Sequence, residues 1–231
     1  MSETQRMTKV RNTTKKRSPA RQPALAAQPA PEGRREQAKL EKRERIRAAA
    51  WELFTTVGYD ETTTKLVAER ADVAAGTLFL YASDKADLLC MVMHDRLAAV
   101  VDARFSTLPA KAPLVEQLIH VFRGPFQMYA EHPGIARAFV AAFPSATGPN
   151  GQAAHAMTFG FLHRLGGLIA AAQARGEVAA DVEPFLAASN VFSLYFGALI
   201  AWISGHATLE TALVPLLSTS LELQMRGLRA R

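Results

Sequence analysis

From about Lys39 onward, apolar residues return at helical spacing almost without interruption, and this regularity confines the chain to an all-α fold. Ile46, Ala50, Leu53, Phe54 and Val57 share one face of a first helix, whose exposed N-terminal turns carry Glu41, Lys42, Arg43, Glu44, Arg45 and Arg47. Gly58 ends that helix in the place where glycine commonly closes one. Tyr59-Asp60-Glu61 connects to Thr62, Thr63 and Thr64, which supply an N-cap for a helix reaching about Arg70. Ala71-Asp72-Val73 has room only for a tight turn. Ala74 to Tyr81 then forms a second short helix, and Asp84 caps a long one through Asp87, Leu88, Leu89 and Val92 towards Phe105. Two short helices joined by a tight turn behind a longer supporting helix make helix-turn-helix architecture.

The formal charge of +6 is placed unevenly. Arg6, Lys9, Arg11, Lys15, Lys16, Arg17, Arg21, Arg34 and Arg35 stand against only Glu3, Glu32 and Glu36, whereas residues 37–231 balance. This segment also holds Pro19, Pro23, Pro29 and Pro31 and few large apolar residues, so burial cannot offset the entropy of ordering it. Residues 1–37 are therefore expected to be a disordered basic arm, either seeking phosphates and the minor groove or simply solubilising the chain.

Several classes fall away. The arm lacks the apolar stretch of a secretory signal. The longest uncharged run, Pro184 to His206, approaches a bilayer span but carries Ser189, Asn190, Ser193 and Ser204, and reads as a buried helix. No membrane partner is expected, and the setting is cytoplasmic and nucleoid-associated. Cys90 has no partner for a disulfide, and between Leu89 and Met91 it reads as packing. No nucleophile with its base, metal-ligand cluster or phosphate loop is present; His155 and His163 lie two helical turns apart, too far to share an ion. Neither an enzyme, a metal site nor a cofactor is expected.

The run Arg45-Ile46-Arg47-Ala48-Ala49-Ala50-Trp51-Glu52-Leu53-Phe54, followed by Gly58-Tyr59, Thr62-Thr63, Val67-Ala68-Glu69-Arg70-Ala71, Gly76-Thr77-Leu78-Phe79 and Lys85 with Leu88-Leu89, resembles the TetR/AcrR family of bacterial repressors. Tyr129-Ala130-Glu131-His132-Pro133 and Arg175-Gly176-Glu177-Val178 fall where similar proteins place turns of their ligand domain. The resemblance implies a helix-turn-helix DNA-binding domain in residues 38–88 and a ligand-binding and dimerisation domain in residues 89–231. It further implies a repressor that binds a palindromic operator in double-stranded DNA as a homodimer and is released by a small, largely apolar effector.

The same resemblance assigns residues. Thr63 would cap the second helix and touch a phosphate, and Ala75, Gly76, Thr77 and Phe79 would face base edges, Thr77 offering a hydroxyl or a methyl. Tyr81 and Lys85 would hold the DNA backbone. Phe79 either faces DNA or packs on the first helix. The sequence also departs from the family pattern: residues 73–83 contain no Lys, Arg, Asn or Gln, Ala74 replaces a frequent Ser cap, Phe79 a frequent Tyr, and Ala82 a frequent aromatic. The reading head is charge-balanced as well, so the basic arm is the expected source of phosphate contacts. These departures leave open a helical ligand- or partner-binding dimer whose sequence-specific DNA binding has decayed.

Further along, Pro113 to His132 reads as an amphipathic helix kinked or broken at Gly124-Pro125. Gly134 to Phe143 is another short helix, and Gln152 to Arg175 a long one. Phe122, Phe126, Met157, Phe161, His163 and Trp202 are candidates for a pocket, or else core. Leu209 to Leu228 offers two apolar rows, one through Leu213, Leu217, Leu221 and Leu228 and another through Leu216 and Leu223, of which one can pack inward while the other meets a partner chain. An effector between the kinked helix and the Gln152 to Arg175 helix would swing the Asp84 to Phe105 helix and change the spacing of paired reading heads.

Overall fold

The computed structural model describes residues 32–228, all of its regular structure being helical within that span. Helix α1 (Glu32–Thr56) is followed by α2 (Thr64–Arg70), α3 (Ala75–Leu78) and α4 (Lys85–Ser106). Behind them come α5 (Leu114–Glu131), α6 (Pro133–Ala142), a 3₁₀ turn at Phe143–Ser145, α7 (Pro149–Ala174) and α8 (Pro184–Ile203). The chain closes with α9 (Leu209–Thr211), a π-helical stretch at Ala212–Ser218 and α10 (Thr219–Leu228).

The start of α1 corrects the expected domain boundary, because residues 33–37 are already helical and exposed rather than part of an unstructured arm. The remainder of the arm, residues 1–31, lies outside the described residues. Ile46, Ala50, Leu53 and Phe54 are buried as the periodicity requires, while Val57 is exposed in the last turn, beside Gly58 at φ +102°. Asp72 turns α2 into α3 from φ +52°, a left-handed conformation that aspartate tolerates better than most residues.

Helix α4 runs straight through the boundary expected at residues 88 and 89. Its segment from Asp87 to Met93 is buried throughout, packing against α1 on the head side and against α5 and α7 beyond. The head and the C-terminal bundle therefore share one rigid element.

Of the kink or break expected at Gly124-Pro125, the break does not occur: α5 continues through Pro125 to Glu131. Gly124 instead serves close approach: a Cβ there would lie 2.7 Å from Arg104 Cγ and 2.8 Å from Val100 on α4. Helix α8 has the length and apolarity of a membrane span, yet it packs along α7 and beneath the C-terminal helices. The continuous last helix expected from Leu209 is interrupted in register. Pro215 removes the donor that would bond the Thr211 carbonyl, and the backbone passes through the π-helical stretch around it. Of the two apolar rows, one packs inward, with Leu213, Leu217 and Leu221 buried and Leu228 half-buried, while Leu216 and Leu223 of the other are 40% and 68% exposed.

Candidate functional site

The reading head is assembled by caps. Thr63 has extended backbone, and its hydroxyl oxygen accepts the Leu66 N–H at 3.1 Å, so this exposed side chain starts α2 as expected. Thr62 is buried and donates to the Gly58 carbonyl at 2.7 Å, which makes it structural. Ala74 precedes α3 without any side-chain cap. On α3 only Leu78 points fully inward; Ala75 and Gly76 are exposed and Thr77 is half-buried. Phe79 is 52% exposed, so it faces outward instead of closing over α1. Beside it stands Leu80, 81% exposed, a residue that sequence reasoning missed.

Of the two residues expected on the DNA backbone, Lys85 has partners for its side chain, and Tyr81 is bonded through its backbone carbonyl. The Lys85 ammonium donates to the carbonyls of Tyr59 and Asp60, each at 3.0 Å, and lies 4.4 Å from the centre of the Tyr59 ring. Its main work in the free protein is to lock the α1–α2 loop onto α4. Tyr81 is half-buried, and its carbonyl accepts from Asn150 Nδ2 at 2.7 Å.

That last bond belongs to a clasp between the head and the C-terminal bundle. Asp87, only 1% exposed, accepts the backbone N–H groups of Asn150 and Gly151 at 2.9 and 2.8 Å on one oxygen. Its other oxygen accepts from Ser83 N–H and from Asn150 Nδ2, both at 3.0 Å. A carboxylate is thus seated on the N-terminal turn of α7, where unsatisfied amides and the helix dipole favour negative charge. Gly148 makes this possible, since a Cβ there would overlap the Asp87 carboxylate and the Ser83 hydroxyl. No motif in the sequence announced Asp87; an acidic residue entering the apolar run Leu88 to Met93 was the only signal.

Helix α7 leads from this clasp into a cavity of about 430 Å³ bounded by α4, α5, α6, α7 and α8. Leu97 and Val101 of α4, Pro125 of α5, Phe139 of α6, Met157 and Phe161 of α7 and Phe192 of α8 supply much of its apolar wall. Polar atoms are few: His94, Asp102, Tyr129, Thr158, Arg164 and Tyr195. Arg164 pairs with Asp102 at 2.5 Å and covers the Phe105 ring. Burial pushes the Tyr129 and Tyr195 phenols well above their ordinary pKa, so both remain neutral hydrogen-bond donors. His94 bonds Asp95 at 2.9 Å, and Asp95 lies 3.7 Å from Arg47 of α1.

Of the expected ligand residues, Met157 and Phe161 line this space. The other four do not. Phe122 and Phe126 are fully buried behind the wall, Phe122 stacked on Tyr195 at 4.5 Å and Phe126 set edge-on to it at 5.4 Å. His163 is exposed on the opposite side of α7, between Phe159 and Phe185. Trp202 packs against Phe126, one layer out.

Comparison with known proteins matches both halves of this description. Residues 46–90 match the family model described as bacterial regulatory proteins, tetR family. The fatty acid metabolism regulator protein of Bacillus subtilis is 24% identical over 180 residues, covering 78% of this chain and 92% of that protein. The HTH-type transcriptional repressor KstR of Rhodococcus jostii is 38% identical over 77 residues, covering 33% of this chain and 36% of that protein. The structure of Thermus thermophilus FadR, a TetR-family repressor in complex with lauroyl-CoA, superposes with a TM-score of 0.65 at 27% identity, over 82% of this chain and 96% of that one. Residues 46–90 are thus a tetR-family DNA-binding domain, and the chain as a whole, with that head joined through α4 to a helical bundle, is similar to TetR-family transcriptional regulators.

Proposed function

We propose that the protein is a repressor of genes of fatty acid metabolism, released from DNA by an acyl-CoA. The observation that carries this reading is the cavity: its wall is mostly aliphatic and aromatic, and two of the helices forming it, α4 and α7, are the two that Asp87 fastens together beside the head. A pocket of this size suits an apolar chain with a few orienting polar groups. The lauroyl-CoA complex of the Thermus repressor and the function of the Bacillus regulator favour an acyl chain over other apolar effectors. The neutral phenols of Tyr129 and Tyr195 would donate to a carbonyl within the cavity, and the Arg164–Asp102 pair would face the polar part of the ligand.

The unit that binds DNA is proposed to be a homodimer on a palindromic operator, acting in the cytoplasm on nucleoid DNA. Leu186 and Ile200 of α8 and Leu216 and Leu223 near the C-terminus are exposed, while Ser193 and Gly197 on the outer side of α8 allow close helix approach. Two copies of such a surface form the isologous four-helix contact that sets a fixed distance between two heads. Filling the cavity would favour an α4–α7 arrangement in which that distance no longer fits the operator.

Titration of the protein–operator complex with lauroyl-CoA, with coenzyme A alone as control, tests the reading. Release of DNA by the acylated form and not by the free thiol is the expected result. Equal operator affinity with and without acyl-CoA would refute it.

A further inference from the structure

We propose that the reading head recognises its operator chiefly through thymine C5-methyl groups, contacted by Leu80 and Phe79 with Ala75 beside them. This rests on the reading of the protein as a DNA-binding regulator and names the chemistry by which it would choose a sequence.

The argument starts from what the exposed surface of α3 lacks. A guanine edge in the major groove is read by Arg or Lys, and an adenine edge by Asn or Gln, through paired hydrogen bonds. None of these residues occurs between 73 and 83. The outward side chains are those of Ala74, Ala75, Phe79 and Leu80, with Gly76 contributing open backbone. Within α3 itself Thr77 supplies the one hydroxyl, and it is half-buried; those of Tyr81 and Ser83 follow beyond its end.

Leu80 is 81% exposed, the highest value among the exposed large apolar side chains of the described residues, and Phe79 adds a half-exposed ring. Neither is buried in the core, so both are free to contact a partner. The family match at residues 46–90 makes DNA the partner of this face. Set against a guanine or cytosine edge, these side chains would desolvate hydrogen-bonding atoms without replacing their partners. Set against thymine they meet a methyl group, the one apolar feature of the groove floor. The same surface that cannot read G·C by pairing therefore rejects it by desolvation and accepts A·T by contact.

The test uses the full-length protein. Bound genomic fragments are selected at about 0.15 M salt, where specific and non-specific binding separate, and the enriched site is synthesised with deoxyuridine replacing thymidine one position at a time. This exchange removes a single methyl and leaves every hydrogen bond in place. At two or more positions per half-site, affinity should fall about fourfold, the effect of one buried methyl. Leu80→Ala, at an exposed position that cannot unsettle the fold, should weaken the thymidine operator but not the one carrying uridine at the contacted position. An enriched site that is indifferent to every methyl, or a Leu80→Ala variant that preserves the full uridine effect at all positions, would overturn the proposal while leaving the regulator intact. Failure to enrich any sequence would overturn both.

Discussion

Asp87→Asn keeps the shape of a buried side chain and removes one oxygen acceptor with its charge, so it isolates the clasp between the reading head and α7. The native carboxylate accepts four N–H groups at 2.8–3.0 Å, two on each oxygen. An asparagine retains one oxygen, and whichever way its amide is turned, its NH₂ group faces two donors that then have no acceptor. The Asn150 amide cannot turn to compensate, because its Nδ2 also donates to the Tyr81 carbonyl at 2.7 Å. Each hydrogen bond to a charged group contributes about 1.5–3 kcal/mol, and an orphaned buried donor costs roughly 1–3 kcal/mol. The lower desolvation cost of a neutral side chain offsets part of this loss. A net destabilisation of about 3 kcal/mol follows, which at roughly 2–4 °C per kcal/mol lowers the thermal midpoint by about 6–12 °C. Thermal unfolding followed by circular dichroism measures it. The variant should also bind acyl-CoA in its cavity while releasing operator less responsively, and linkage requires operator to lose its effect on acyl-CoA affinity to the same degree. A variant that melts within about 2 °C of the parent, or one whose operator release is unchanged, would refute the assignment of Asp87 as a coupling residue.

Four further outcomes are expected. Arg45, Arg47, Lys65 and Arg70 each lie within ion-pair distance of a carboxylate, so the head offers little uncompensated charge. Removing residues 1–31, which hold seven of the Lys and Arg residues against Glu3 alone, should flatten the slope of log K against log salt by about five if three phosphates per subunit are neutralised; an unchanged slope would exclude the arm from the complex. Burial pushes the Cys90 thiol from 9.0 up to about 11, with Asp87 and Asp84 adding to it, and the Tyr129 and Tyr195 phenols are raised too. These groups ionise more readily unfolded, so stability should be complete below pH 9.0 and fall as pH rises towards about 11; a flat unfolding free energy across that window would contradict it. Leu223→Lys, placed on an exposed position of the C-terminal face, should convert dimer to monomer in sedimentation without lowering helicity, and an unaltered mass would remove this face from the interface. Gly76→Ala meets nothing within 4 Å and should stabilise the free protein by about 0.5–1 kcal/mol while weakening operator binding, as melting and DNA titration together would reveal; undiminished affinity would take Gly76 off the reading face.

What was legible in the sequence and what was not divides along the range of the interactions. Thr63, Gly58 and Asp84 act within four residues of themselves, through caps and a positive φ, and their roles could be read from neighbours alone. The buried rows of α1 and of the C-terminal helices follow from period as well, because a helix repeats its inward face wherever it sits. Period does not say what lies opposite that face. Phe122 and Phe126 are inward by phase and entirely buried, yet the empty space opens one row away, beside Pro125 and Tyr129 of the same helix. The difference depends on how α5 is rotated against α8, a relation between residues some seventy positions apart. Asp87 illustrates the same limit more sharply. Locally it is one acid in the first turn of α4, beside an aspartate that already caps the helix, and both of its partners on α7 stand over sixty positions later in the chain.

Leu80 failed to register for the opposite reason. It lies in a run of apolar residues where Leu78 is fully buried, and composition cannot tell the inward leucine from the outward one. Leu78 and Ala82, four residues apart, are buried on one face, and Phe79 and Leu80 between them are turned out of the bundle. The absence of Arg, Lys, Asn and Gln from residues 73–83, which on the sequence alone left open a decayed reading head, takes on another meaning once two large apolar side chains are found on its surface. Those two side chains make the plainness of the recognition helix a positive chemical specification, one that a groove floor rich in thymine methyls satisfies and a G·C-rich one does not.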